Sequence, residues 1–149
     1  MIKRIDPKAV TKVVSSTDEA VDLELSDTKA YASSLDLSFI KFKEGMKPTF
    51  FLVKNIGARR QAELKNKYYK VVPPHNDKEG KLIPAKVEML DQTNMLIEYF
   101  ETCVSQVEED GKIVDISMDE IDFLAVQEIG GYAMLIATVG DNLKKTSKQ

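Results

Sequence analysis

The sequence predicts an α+β fold, mainly α, in which an antiparallel β-hairpin near the N-terminal third packs on a bundle of three or more helices. Three observations carry that expectation. Residues 84–107 contain no glycine and no internal proline, and their apolar side chains recur at helical spacing. Val87, Leu90, Ile97 and Val104 form one row, and Met89, Leu96, Phe100 and Cys103 the next. A stripe that wide exceeds a coiled-coil seam and predicts a central helix covered along most of its length. Residues 35–43 and 49–54 flank the turn-forming KEGMKP with strand-like patterns, which predicts two paired strands. Near the end, Ile129, Tyr132, Ile136, Val139 and Leu143 return every three or four positions, the mark of a second amphipathic helix over 125–143.

Composition narrows the classes. A chain of 149 residues with 43% hydrophobic and 30% charged content matches a globular protein and not a disordered one. The length fits a single domain over 1–149, with 1–34 as an extended or mobile arm and 144–149 as a polar tail. A net charge of −3 supplies no bulk field to attract nucleic acid or anionic lipid. No apolar run approaches the roughly 18 residues of a membrane-spanning helix. MIKRIDPKAV lacks the apolar stretch of a secretory signal. The lone Cys103 excludes an internal disulfide and a cysteine-based zinc site, so a reducing cytoplasm, or a particle assembled there, is the expected compartment.

Taken in order, Val10 to Val14 and VDLEL (Val21, Leu23, Leu25) read as short strands between polar, turn-like STDE and SDTKAYASS. A phase slip at Ile40 predicts a bulge in the first strand of the hairpin. Pro48 precedes the second strand, where a missing donor is tolerated. Asn55 is the expected cap of a first helix over 57–70 that touches the core by one narrow face. VVPPHNDKEGKLIP reads as a loop, and Asp110-Gly111 as the turn of a small hairpin after the central helix. Ser117 and Glu120 match a capping box ahead of the last helix. Gly130-Gly131 inside that helix costs roughly 1 kcal/mol per residue relative to alanine, so close approach of another helix, or a break, is expected there.

Residue chemistry offers little to a catalyst. Cys103 lies within an apolar stripe and reads as a small buried hydrophobe. His75, the only histidine, stands in a Pro-Pro-His-Asn-Asp stretch with no nucleophile paired to it by any motif. Asp115, Asp119, Glu120 and Asp122 lack the alternate spacing of a calcium loop and suit a helix start instead. No catalytic residue, metal or cofactor is expected. The one basic patch is the first helix, where Arg59, Arg60, Lys65 and Lys67 surround Tyr68 and Tyr69. Basic residues interleaved with aromatics suit nucleic acid, but their spread around the helix favours an acidic protein partner.

Several stretches resemble the tail assembly chaperones of long-tailed bacteriophages: the opening MIKRIDPKAV, KPTFFLVKNIGARRQAEL, and VSQVEEDGKIVDISMDEIDFLAVQEIGGYAMLI. An aromatic residue often found before the Asp-Gly turn is absent, Val104 and Val107 standing there instead. The resemblance implies a non-enzyme of the host cytoplasm that coats a helical tape-measure protein during tail assembly and self-associates weakly. Many members of that family occur in a short and a frameshifted, extended form; a slippery A-rich heptamer in the gene at the Lys144-Lys145 codons would be the mark of one here. Two other readings stand beside it: a structural virion subunit (connector or minor coat protein), and an accessory protein that binds nucleic acid or a host protein through the basic helix.

Overall fold

The computed structural model describes residues 8–139 together with Ile2, Arg4 and Asp6. The expected helix end at Leu143, Lys144-Lys145 and the polar tail 144–149 lie outside the described residues. In chain order the elements are β1 (Val10–Val14), α1 (Thr28–Ser34), β2 (Phe50–Lys54), α2 (Ala58–Tyr68), β3 (Tyr69–Val72), β4 (His75–Asn76), β5 (Leu82–Ile83), β6 (Lys86–Met89), α3 (Gln92–Cys103), β7 (Val104–Glu109), β8 (Lys112–Asp115) and α4 (Phe123–Val139). The fold is about 39% helical and 25% strand, which overturns the mainly α expectation. Its frame is a four-stranded antiparallel sheet in the order β1-β2-β7-β8, not a hairpin on a helix bundle.

The expected hairpin also fails, for local reasons. Strand β2 forms as predicted, but its partners are β1 and β7 rather than residues 35–43. The Asp27 carboxylate accepts the Ala30 N–H at 2.9 Å and starts α1. Leu35 ends that helix in the left-handed region, at φ 54°. The Asp36 carboxylate then accepts the Ser38 N–H at 2.9 Å, folding Leu37–Phe39 into a 3-10 turn. Alternating Leu35, Leu37 and Phe39 are therefore a run of caps and turns. Only Phe42 makes a β-bridge, to Val21, and Asp22 folds the rest of VDLEL into a turn through the N–H groups of Glu24 and Leu25.

The central helix is shorter than 84–107. Asp91 caps α3, accepting the Asn94 N–H at 3.1 Å, and the chain turns extended at Val104. Leu52 pairs with Gln106 but Val53 pairs with Val104, so Ser105 is an extra residue, a β-bulge in β7. The bulge brings Val104 and Val107, three apart, onto the core face, and that spacing imitates a helix. The β7–β8 turn is the two-residue type expected of Asp-Gly, with positive φ at both Asp110 and Gly111.

The main core lies between the sheet and the pair α3–α4. Val13, Phe51, Val53 and Val107 from the sheet meet Met95, Phe100 and Cys103 from α3 and Val126, Ile129, Ala133 and Ile136 from α4. The two glycines of α4 do not break it. A Cβ on Gly130 would lie 2.1 Å from the Leu96 carbonyl oxygen, so glycine there permits the approach of α3. The expected capping box belongs to a separate 3-10 turn, Met118–Glu120, and Asp122 caps α4 by accepting the Leu124 and Ala125 N–H groups at 3.1 and 3.3 Å. A second cluster joins Val14, Val21, Tyr31 and Ile40. Tyr31 meets the Tyr132 ring edge-on at 5.5 Å, and its hydroxyl accepts the Val14 N–H at 3.1 Å. Burial pushes the Tyr31 hydroxyl up to about 12.

Residues 69–89 correct the loop expectation. Tyr69 pairs with Met89 and His75 with Ile83, at one constant register. Hydrogen bonds from Leu90 N–H to Tyr68 O and from Asp77 N–H to Lys81 O, at 2.8 and 2.9 Å, extend the same register to base and tip. This is one β-arm, interrupted where Pro73, Pro74 and Pro84 lack donors. The Asp-Lys-Glu-Gly turn forms its tip, with the Asp77 carboxylate accepting the N–H groups of Glu79 and Lys81.

Candidate protein-binding surface

Helix α2 begins at Ala58 with Gly57 at its cap, not under an Asn55 side chain, and buries Leu64 and Tyr68. Four residues apart, these two form the narrow inner face expected of it. Arg60, Glu63 and Lys67 then occupy one flank, three and four residues apart, from which Arg60 and Lys67 reach α3. Across that gap stands Glu98. Its carboxylate takes ion pairs from Arg60 at 3.3 Å and Lys67 at 2.9 Å and accepts the Tyr68 hydroxyl in a short hydrogen bond. Arg60 also pairs with Glu63 at 3.2 Å and donates to the Thr102 hydroxyl at 3.2 Å. The Tyr68 hydrogen bond, then Lys67 and Arg60, hold the Glu98 carboxyl below the usual range, while partial desolvation works against them. Burial, then Glu98, raises the Tyr68 hydroxyl.

The cluster forms one wall of an open groove of about 590 Å³ between α2, the base of the arm and α3. Leu90 and Ile97 line it with apolar surface, and Asp91, Glu98 and Glu101 face Arg60 and Lys67 across it. Leu90 is 58% exposed, so a large apolar side chain there remains open to solvent. Such a groove suits apolar side chains of a partner flanked by charges of either sign. Three donors hold the Glu98 carboxylate ionised within it.

Of the six predicted contact residues, Arg60, Lys67 and Tyr68 meet in this groove. Arg59 and Lys65 are exposed elsewhere on α2, and Tyr69 is half-buried against the core at the start of β3. Glu98, the hub, was not legible in sequence, since nothing local pairs it with α2. Cys103 is buried in the core, its thiol pushed up to about 11 by desolvation. His75 is exposed on the arm, its Nδ1 3.0 Å from the Pro73 carbonyl oxygen, so it does not meet Cys103. Among the described residues, no group of three His, Cys, Asp or Glu side chains is placed to hold a metal ion, and no helix is long and apolar enough to cross a membrane. Comparison with protein-family models, curated proteins and solved structures finds no match.

Proposed function

We propose that this chain is a non-enzymatic assembly chaperone or scaffold that holds a long amphipathic helix, of tape-measure type, during assembly of a phage tail in the host cytoplasm. The observation that carries the reading is the α2–α3 groove, which joins exposed Leu90 and half-buried Ile97 to a rim of both charges. A helix laid in such a groove buries apolar positions at i, i+3 or i+4 and i+7 while its flanks meet the rim. The resemblance to tail assembly chaperones supports the same partner. Co-expression with a tape-measure-type protein and affinity capture tests it. Retention of the partner that drops with Leu90→Asp is the expected result; no retention by the unaltered chain overturns it.

A virion subunit would make the same contacts but persist, so mass spectrometry of purified particles separates the two readings. The nucleic-acid reading is weakened by the commitment of Arg60 and Lys67 to Glu98. A mobility shift lost at moderate salt would restore it.

A further inference from the structure

The four-stranded sheet has two outer strands, and the free side of β1 is closed at its C-terminal end. The Val14 N–H donates to the Tyr31 hydroxyl of α1 at 3.1 Å, and just beyond the strand the Ser16 N–H donates to the Glu128 carboxylate of α4 at 2.6 Å. Strand β8 is open along its length. Lys112 opposes Glu109 beside the two-residue turn, Val114 opposes Val107, and the Ile116 N–H donates to the Ser105 carbonyl oxygen at 3.0 Å. Antiparallel ladders exchange bonds at alternate pairs, so 112, 114 and 116 turn their backbone groups toward β7. Ile113 and Asp115 turn theirs away from the sheet, and these groups have no partner among the described residues. No proline or register shift interrupts β8, and Ile113 and Val114 are 61% and 44% exposed.

Charge names what this edge can take. Glu108 and Asp110 are already paired with Lys12 and Lys47 and leave no free charge. Asp115, Asp119 and Glu120 are exposed and make no ion pair among the described residues; Asp115 accepts only a neutral amide, that of Gln106, at 2.9 Å. Lys112, the single cation of residues 108–124, stands at the turn end of the strand, opposite Glu109. The open edge therefore runs from apolar at Ile113 and Val114 to acidic from Asp115 onward. A second copy of the same edge would bring like charges together, which disfavours self-pairing.

We propose that β8 takes an extended segment of a partner protein as a fifth strand, one that leads with lysine or arginine and continues with β-branched apolar residues. Run antiparallel to β8, such a segment sets its basic start beside Asp115, Asp119 and Glu120 and its apolar residues beside Val114 and Ile113. The outward N–H and C=O groups of Ile113 and Asp115 supply the register, as in other strand additions to a free sheet edge. Two residues offer only four backbone bonds, so the contact is weak and, with charge supplying part of the attraction, sensitive to salt. It shares no residue with the α2–α3 groove and does not depend on how that groove is used.

Fluorescence anisotropy of a dye-labelled, acetylated peptide, in which lysines precede Val-Ile-Thr-Val, titrated with the full chain at low salt tests this. A saturable rise that weakens in high salt is expected. An added strand turns only every second amide toward β8, so N-methylation of one alternate set should abolish binding and of the other should spare it. Ile113→Pro removes an outward donor without touching the ladder to β7 and should weaken binding roughly tenfold. Asp119→Lys combined with Glu120→Lys should weaken it several-fold and remove most of the salt dependence. If circular dichroism shows Ile113→Pro misfolded, the two methylated peptides decide the matter alone. No binding by the unaltered chain, equal binding of the two methylated peptides, or indifference to the Asp119 and Glu120 changes would each overturn the proposal. So would a wild-type species of twice the 16.7 kDa chain mass that Ile113→Pro returns to monomer, since a second copy would then hold the edge.

Discussion

Replacing Gly130 by alanine tests the contact on which the core depends. The added methyl would lie 2.1 Å from the Leu96 carbonyl oxygen, 2.9 Å from its carbonyl carbon and 3.3 Å from its Cα. All three are backbone atoms of α3, so no side chain can rotate out of the way. Carbon–oxygen contacts settle at about 3.3 Å, so the helices must part by roughly 1 Å. That displacement loosens Met95 and Phe100 on one side and Ile129 and Ala133 on the other. Two effects oppose each other. Alanine recovers about 1 kcal/mol of helix propensity, whereas overpacking costs about 1–3 kcal/mol and more against a backbone that cannot yield locally. The expected net loss is on the order of 2 kcal/mol. Gly131→Ala is the control. Its methyl would meet only Leu96 Cδ2, at 3.9 Å, so propensity prevails and a gain of about 0.5–1 kcal/mol follows. In urea, at about 1–3 kcal/mol per molar, the two variants should move the midpoint in opposite directions, about 1 M apart. Gly130→Ala as stable as wild type would mean that α3 and α4 do not meet through this glycine.

The other predictions concern single contacts. Tyr68→Phe, Glu98→Gln and the double variant form a cycle whose coupling at neutral pH should be about 1 kcal/mol. Because the folded-state pKa of Glu98 is depressed, its contribution is present above the unfolded carboxylate value and is lost as pH falls through the folded one; coupling that persists in strong acid would contradict the assignment. Asp122→Ala should cost about 1 kcal/mol by uncapping α4, and Ser117→Ala clearly less, read as urea midpoints. Cys103, with its thiol pushed up to about 11, should resist a maleimide in the native protein at mildly alkaline pH and label fully in denaturant; rapid native labelling would place it outside the core.

What the sequence made legible was the set of features fixed within a few residues. Strands β1 and β2, helix α2, the Asp-Gly turn and most of α4 follow from alternation, helical spacing and turn chemistry. Sequence pattern and structure part where one periodicity imitates another. Lys86–Met89 alternates charged with apolar at period two, yet Val87 and Leu90 also sit at helical spacing ahead of Ile97, so the returning leg of the arm reads as part of the helix that follows it. At the other end, the bulge at Ser105 placed Val104 and Val107 at a spacing of three on one face of a strand. In 27–39, aspartate side chains supply the backbone with acceptors that neither helix nor strand periodicity records. The candidate site was legible by half. Arg60, Glu63 and Lys67 share a helix flank by spacing alone, but Glu98 and Leu90 reach them only after the arm has folded back on itself, a non-local event.

The interruptions of the arm constrain how it can be used. An isolated two-stranded ribbon exposes two edges, and unblocked edges recruit strands indiscriminately. Here Pro73 and Pro74 remove donors from one leg, Pro84 removes one from the other, and Lys70 and Lys86 add charge beside them. Edge pairing is therefore discouraged along both sides, while the face bearing Val71, Val87 and Met89 is left open. Prolines weaken the arm's own ladder by the same absence of donors, so their placement costs stability that the arm alone has no means to recover. Covering the apolar face would restore it. The arm is consequently suited to contacts made across its face, side chain to side chain, and not along its edges.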